Sequence, residues 1–193
     1  TIKGSENPLP INYLENKGSA QCKSSVIFAG LRTIGKTFIK AKKSRNHTEL
    51  LCKYLKLPLK VKTKKNYDLI EVEKVKKIKP LNYNIPSDIS SGAFFIVLTA
   101  LSNNSKLLIK NVNINPSRVG IITILKKMGV NIQFKNKKNY KGELIADISI
   151  KSTKKLKAIN CPPKLNSGAI DEFLTIFLVA AKASGVSYFK DIG

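Results

Sequence analysis

The chain has 193 residues, of which 42% are hydrophobic, and a formal net charge of +23. This length and composition suit one ordinary domain or two small ones and exclude a disordered tail. The apolar runs at 93–101 and 173–181 are shorter than the roughly 18 residues that a membrane-spanning helix needs, so no membrane association is expected.

The positive charge leaves two interpretations open. A basic surface can neutralise nucleic-acid phosphates, but among the 35 basic residues only Arg32, Arg45 and Arg118 are arginine, the residue best suited to bidentate phosphate and guanine contacts. The lysines are spread along the chain, which favours a solvated lysine surface over a nucleic-acid interface. Such a surface would also draw small anionic substrates toward a cleft.

The cysteines bear on metal binding and on the cellular compartment of the protein. Cys22, Cys52 and Cys161 form no C-x-x-C pair and the chain has 1 His, so we expect no zinc site. An odd cysteine count without a signal peptide fits the reducing cytoplasm.

The chain begins at Thr1 rather than Met and stops just after a predicted strand. We therefore interpret it as an internal fragment that is cut short at both ends.

One order of elements recurs three times along the chain: a loop of polar residues or glycine, an apolar helix, a turn and a short strand. The predicted helices begin at Gln21, Ser91 and Asp171, and the predicted strands follow at 38–40, 108–110 and 188–190. The three helix starts are equivalent positions of this repeat. Because the helices are apolar for most of their length, we expect them to be buried on nearly all sides.

The first two copies also have a second half, a further helix and strand. The predicted segments are a helix at 50–55 with an extended tail at 57–61 in the first copy, and a helix at 121–128 with strands at 130–134 and 145–150 in the second. Repeated βαβαβ-type units of this kind define an α/β fold. A boundary near residue 80 predicts two domain portions, residues 1–82 and 83–193.

The repeat has a chemical consequence at the helix starts. The first turn of a helix has unpaired N–H groups and a partial positive charge. Small residues there, such as Ser19, Ala20 and Gly168, allow a ligand to approach closely. Several such helix starts that face one cleft would bind a polyanion. The alternative is that the Ser and Asp residues at these starts are helix caps only, which is our interpretation of residues 87–91.

Five segments in register resemble the EPSP synthase family of enolpyruvyl transferases, and the resemblance covers essentially the whole chain. Five positions depart from the family pattern: Asn46 replaces Asp, Ser87 replaces Gly, Gly92 replaces Ala, Ser117 replaces Thr and Phe173 replaces Tyr. The matching segments are 7–24 (N-P-L-P-I, then G-S-A-Q-C-K-S), 44–49 (S-R-N-H-T-E), 87–95 (S-D-I-S-S-G-A-F-F), 115–120 (N-P-S-R-V-G) and 170–173 (I-D-E-F).

The resemblance implies a fold and a reaction. The fold would be two inside-out α/β barrel domains of three repeats each, of which this chain forms parts that are incomplete at both ends. In the reaction, the 5-hydroxyl of shikimate 3-phosphate adds to C2 of phosphoenolpyruvate while C3 is protonated, and the tetrahedral intermediate then loses phosphate. The family uses no metal or organic cofactor. A monomer that binds small anionic substrates, and neither nucleic acid nor a membrane, is expected.

The resemblance also implies the site residues. Ser19, Ala20 and Gln21 match residues that hold shikimate 3-phosphate, and Gln21 would contact both substrates because its amide donates and accepts hydrogen bonds. Arg45 matches a residue that grips the shikimate phosphate. Asp171 matches the base that takes the proton from the 5-hydroxyl. We expect Arg118, the equivalent of Arg45 in the next repeat, to be structural.

Three other functions were weighed. A sister enzyme that transfers enolpyruvate to a UDP-amino sugar shares the fold but lacks the segments at 19–24 and 44–49 in this form. A lysine-rich nucleic-acid-binding protein would place aromatic residues on a basic face, and a non-catalytic relative would lack family segments outside this chain. Family segments that help bind both substrates lie outside it in any case. We therefore expect this chain alone to show no turnover, low stability and open apolar faces.

Overall fold

Helices and strands alternate along the chain, and the contacts between them divide it into two units, Thr1–Tyr83 and Asn84–Gly193. This computed structural model describes residue 1 and residues 3–192. The first unit consists of β1 Asn12–Glu15, α1 Ala20–Gly30, β2 Lys36–Lys42, α2 His47–Tyr54, β3 Leu59–Thr63 and β4 Tyr67–Glu73. The second unit consists of α3 Ile89–Leu101, β5 Lys106–Asn113, α4 Gly120–Lys127, β6 Asn131–Tyr140, β7 Glu143–Lys151, 3-10 helices at Pro163–Gly168 and Ile170–Glu172, and α5 Phe173–Lys182.

The first unit has a four-stranded sheet in the order β1-β2-β4-β3, with β1 parallel to β2 and the other pairs antiparallel. Along β2, buried and exposed residues alternate strictly, since successive side chains of a strand point to opposite faces. Ile39 of β2 lies opposite Ile70 of β4 on the buried face. Ile27 and Leu31, at the C-terminal end of α1, join these residues in the core of the unit.

The second unit repeats this arrangement. Its sheet has the order β5-β7-β6, which corresponds to β2-β4-β3 of the first unit. A parallel bridge between Ser87 and Val112 stands where β1 pairs with β2. The same order of helix, strand, helix and two strands therefore occurs in both units, and the repeat predicted from the sequence is confirmed for the first two copies.

The third copy differs from the prediction in its strand. Parallel bridges join Lys157 to Ser184 and Asn160 to Tyr188, but the strand predicted at 188–190 forms only the isolated bridge at Tyr188. Between the two bridges, the N–H of Ile159 donates to the Ser187 hydroxyl at 3.2 Å. Beyond Tyr188 the facing segment continues as Pro162–Pro163, which lacks the N–H groups that a ladder needs. The Asn166 amide instead donates to the carbonyl oxygens of Lys190 at 2.7 Å and Asp191 at 2.9 Å.

The predicted burial of the repeat helices on nearly all sides is wrong within each unit. α3 buries Ile89, Ala93, Ile96 and neighbouring residues, yet Phe94, Phe95 and Leu98 are 67%, 60% and 64% exposed. Leu174 and Leu178 of α5 are exposed as well. Each helix packs one face on its own sheet and neighbours, which leaves the remaining apolar faces uncovered. The open apolar faces that the sequence analysis expected are confirmed.

Candidate functional site

The start of α1 has the features of an anion-binding helix terminus. Ser19 is the N-cap, in extended conformation at φ −82°, and its Oγ accepts a hydrogen bond of 3.2 Å from the Cys22 N–H. Ala20 and Gln21 are the first two helical residues; Ala20 is half-buried and Gln21 is exposed. Gly18, at φ +80°, makes the turn into the cap, a conformation that favours glycine. The N–H groups of such a first turn can bind a phosphate.

A buried carboxylate shapes the loop that leads to this helix. Glu15 is 4% exposed, and it accepts hydrogen bonds from the N–H groups of Lys17 at 2.9 Å and Gly18 at 2.8 Å. Burial alone would raise the pKa of Glu15, but bonds from the N–H groups of Ser19, Gly18 and Lys17 and the charge of Lys23 outweigh it and lower that pKa. Glu15 therefore stays ionised at neutral pH and holds the turn in place.

Arg45 lies close to the same loop. A Cβ added to Gly18 would come 3.4 Å from the carbonyl oxygen of Lys43, so the segment before Arg45 runs beside the turn into α1. The Nζ of Lys23, in the first turns of α1, donates a hydrogen bond of 2.9 Å to the carbonyl oxygen of Arg45. The structure thus brings four of the predicted site residues, Ser19, Ala20, Gln21 and Arg45, into one region of the first unit.

Asp171, the predicted base, lies in the second unit and is exposed. We predicted that an α-helix begins at this residue, and this is wrong: Asp171 is the middle residue of the 3-10 helix Ile170–Glu172, and α5 begins at Phe173. The neighbouring Glu172 is 4% exposed and accepts a hydrogen bond from the Ser90 hydroxyl. This tertiary contact, together with a bond from Thr175 Oγ1 to the Glu172 carbonyl at 2.8 Å, sets the local turn.

The start of α3 anchors that turn. Asp88 is the N-cap of α3; its Oδ2 accepts from the Ser91 N–H at 2.8 Å and its Oδ1 pairs with the Arg118 guanidinium at 2.8 Å. Arg118 also donates to the Ser90 hydroxyl, and thereby connects to Glu172. The capping role of Asp88 is confirmed, and the structural role of Arg118 stays a prediction that these contacts support. Burial opposes the ionisation of Asp88, but the Ser91 hydrogen bonds and Arg118 prevail and lower its pKa.

The described residues contain no group of three or more His, Cys, Asp or Glu side chains able to hold a metal ion. The three cysteines are free thiols. Within residues 1 and 3–192, no helix is both long and apolar enough to cross a membrane.

Comparison with known proteins identifies the family. The sequence pattern of EPSP synthase (3-phosphoshikimate 1-carboxyvinyltransferase) matches residues 2–193. The chain belongs to the EPSP synthase family. A protein of Zymomonas mobilis named 3-phosphoshikimate 1-carboxyvinyltransferase is 37% identical over 193 residues, 100% of this chain and 42% of that protein. A protein of the same name from Legionella pneumophila is 39% identical over 185 residues, 95% of this chain and again 42% of the relative.

Solved structures agree with this family. EPSP synthase from Acinetobacter baumannii matches with a TM-score of 0.83 and 38% identity, over 96% of this chain and 42% of that one. The enolpyruvyl transferase NikO from Streptomyces tendae, at 15% identity, shares the fold with a TM-score of 0.66 over 94% of this chain and 44% of its own. The chain therefore has the α/β fold of enolpyruvyl transferases, and it spans about 42% of the length of the relatives that it matches.

The sequence did not reveal the buried residues next to the candidate site residues. Lysine was interpreted as a solvated surface residue, but Lys23 is 0% exposed. The burial of Lys23 could have been predicted from its helical spacing with Ile27 and Gly30, because these three residues form the buried face of α1. Ser90 was assigned to capping only, whereas its hydroxyl joins the turn beside Asp171; no spacing in the sequence predicts that contact, because it joins residues far apart in the chain.

Proposed function

We propose that the full-length protein that carries this sequence transfers the enolpyruvyl group from phosphoenolpyruvate to the 5-hydroxyl of shikimate 3-phosphate. The observation that carries the proposal is the match of the entire chain, at 37% identity, to a relative named for this reaction. The relatives' name favours shikimate phosphate over an amino sugar as the acceptor. The three free cysteines support a reducing cytoplasm as its location, and we propose a monomeric enzyme.

In the proposed site, the phosphate of shikimate 3-phosphate binds at the start of α1. Ser19 and the unpaired N–H groups of the first turn donate hydrogen bonds, and the helix terminus contributes partial positive charge. Arg45 adds a full positive charge and a planar set of donors. Gln21 contacts both substrates through its amide. The excess of lysine elsewhere raises the local concentration of both anions.

Asp171 acts as the general base of the proposed reaction. Its carboxylate takes the proton of the 5-hydroxyl as that oxygen bonds to C2 of phosphoenolpyruvate, and C3 gains a proton at the same stage. Elimination then breaks the C2–O bond to phosphate, C3 loses a proton, and the enol ether and phosphate leave. The exposure of Asp171 leaves its carboxylate accessible to a substrate, while the buried Glu172 beside it anchors the turn.

Turnover by the full-length protein tests the proposal. With both substrates present, we expect release of phosphate and formation of the enol ether, followed by ³¹P NMR. Asp171→Asn keeps the size of the side chain but removes the base, so we expect kcat to fall by about 10²- to 10⁴-fold. Asp191→Asn is the matched control, because Asp191 is also exposed in the second unit; it should retain wild-type kcat. Wild-type protein without turnover, or an Asp171→Asn variant of normal kcat, would contradict the proposal.

A further inference from the structure

Lys23 has a position that surface lysines do not share. Its side chain is 0% exposed, and it lies on the buried face of α1 with Ile27 and Gly30. A buried ammonium is costly unless other groups compensate its charge and its hydrogen-bonding capacity. The groups that balance the charge of Lys23 and accept its hydrogen bonds therefore show which segments of the chain it connects.

Two partners meet the Lys23 ammonium. Its Nζ lies 2.7 Å from Glu49 Oε1 of α2. This is the distance of an ion pair between the ammonium and the carboxylate. A hydrogen bond of 2.9 Å goes to the carbonyl oxygen of Arg45. One buried cation thus connects α1 to α2 and fixes the backbone at Arg45.

The same cation acts on the loop before α1. The charge of Lys23 is one of the influences that keep Glu15 ionised, and Glu15 in turn binds the N–H groups of Lys17 and Gly18. The turn that ends at Ser19 and the segment that carries Arg45 therefore depend on one buried charge cluster. Because Lys23 is fully buried, it acts on a ligand only through these neighbours.

We propose that Lys23 is a positioning residue, which holds the backbone of Arg45 at a fixed place relative to the start of α1 so that both contact one phosphate. This inference rests on the proposed function for the identity of that phosphate, shikimate 3-phosphate. Loss of the Lys23 ammonium should weaken binding of this substrate even where the fold survives, because the Arg45 carbonyl loses the hydrogen bond from Lys23 and its link to α1 is weakened.

The chain offers a matched control. Ser24 Oγ and Thr48 Oγ1 form a hydrogen bond of 2.7 Å, which joins the same two helices, α1 and α2, and does not involve the Lys23 ammonium. Ser24→Ala removes this connection and leaves the Lys23 cluster intact. A general loosening of the two helices would show in both Ser24→Ala and Lys23→Met, whereas a specific effect on Arg45 would show only in the latter.

The experiment measures KM for shikimate 3-phosphate in the full-length protein. Lys23→Met leaves Glu49 buried without a counter-charge and can prevent folding, so Lys23→Met/Glu49→Gln is the second variant, in which both charges are gone. We expect KM to rise by about tenfold or more in each Lys23 variant, as for loss of a coupled binding contact. Ser24→Ala should keep KM within about twofold of wild type. Because Lys23 acts through Arg45, adding Lys23→Met/Glu49→Gln to Arg45→Ala should change KM little further.

A second measurement separates this inference from the proposed function. Amide hydrogen exchange at residues 44–46 should be at least about tenfold faster in Lys23→Met/Glu49→Gln than in wild type, and unchanged in Ser24→Ala. If the wild-type protein has no turnover but this exchange difference appears, the proposed substrate is wrong and the positioning of Arg45 stands. Wild-type exchange at 44–46 in the double variant, a wild-type KM, or a KM effect that adds fully to that of Arg45→Ala would overturn the inference.

Discussion

Cys22 follows Gln21 in α1 and is exposed, whereas Cys52 and Cys161 are buried. Burial, together with the nearby charge of Glu49, raises the pKa of the Cys52 thiol to about 11, and burial also raises that of Cys161. At pH 8 a thiol with a pKa of about 11 is ionised in roughly one molecule in a thousand. The thiolate is the reactive form, so the three cysteines should differ sharply toward an alkylating reagent.

We expect iodoacetamide at pH 8 to modify Cys22 in the native full-length protein and to leave Cys52 and Cys161 unmodified. Shikimate 3-phosphate should slow the modification of Cys22, because the proposed phosphate site includes the adjacent Gln21 and the capped turn at Ser19. Mass spectrometry of peptides follows each site, and denatured protein, in which all three react, is the control. Equal labelling of Cys22 with and without the substrate would argue against a ligand at this helix start.

At the level of single residues, the family resemblance identified the candidate site residues. The buried residues that hold them in place could be identified only from the structure. Ser19, Gln21 and Asp171 could be proposed from motif positions. The buried charge of Lys23 could have been suspected from its spacing with Ile27, but its bond to Arg45 could not. That bond joins a side chain to a backbone oxygen in another segment, and local sequence patterns do not encode such pairs.

At the level of elements, the helices of the first two copies and most of their strands followed from periodicity, whereas the sheet order was not predicted. Alternating burial along β2 and helical spacing in α4 are local patterns. The 3-10 turn at Asp171 was missed because Ser90, far away in the chain, holds Glu172. The predicted strand at 188–190 failed for a similar reason, since the side-chain amide of Asn166, 24 residues away, donates to the Lys190 carbonyl oxygen that a ladder would use.

Gly120 and Gly92 allow the packing of helices α4 and α3 to be tested by substitution, with opposite expected effects on stability. Gly120, at the start of α4, has no room for a side chain: an added Cβ would lie 2.6 Å from the carbonyl carbon and oxygen of Gly168. Gly92, inside α3, has room, since an added Cβ would meet only Ile109 Cδ1 at 3.5 Å. Gly120→Ala must therefore displace the backbone that precedes Asp171, whereas Gly92→Ala removes a flexible residue from a helix.

We expect Gly120→Ala to lower the free energy of unfolding by about 1–3 kcal/mol, as overpacking does, and to lower kcat because the turn that carries Asp171 shifts. Gly92→Ala should raise the free energy of unfolding by about 0.5–1 kcal/mol, since alanine has the higher helix propensity. Urea unfolding of the full-length variants checks both values. A Gly120→Ala variant as stable as wild type would show that the contact between α4 and the 3-10 segment is not close.

At the level of the whole molecule, the chain exposes apolar helix faces and spans 42% of its relatives' length. The side chains of Phe94, Leu98 and Leu174 are each more than half exposed, which is unusual for contiguous apolar surface in a monomer. The exposed faces belong to the repeat helices that the sequence predicted to be buried on nearly all sides. The order of helices and strands in the first two copies was largely predictable from the sequence, whereas the exposed side of each repeat helix was not. Activity is accordingly proposed for the full-length protein.

Equilibrium binding of shikimate 3-phosphate to the full-length protein, measured by calorimetry, tests most directly the roles proposed for Arg45 in phosphate binding and for Asp171 in catalysis. We expect Arg45→Ala to weaken binding by about tenfold or more, as loss of a charged phosphate contact does. Asp171→Asn should bind within about threefold of wild type while failing to turn over, because a general base acts on the reaction rather than on the phosphate. Arg32→Ala, which removes an exposed arginine of the first unit, should leave binding unchanged. Loss of binding in Asp171→Asn together with normal binding in Arg45→Ala would contradict the assignment of both residues.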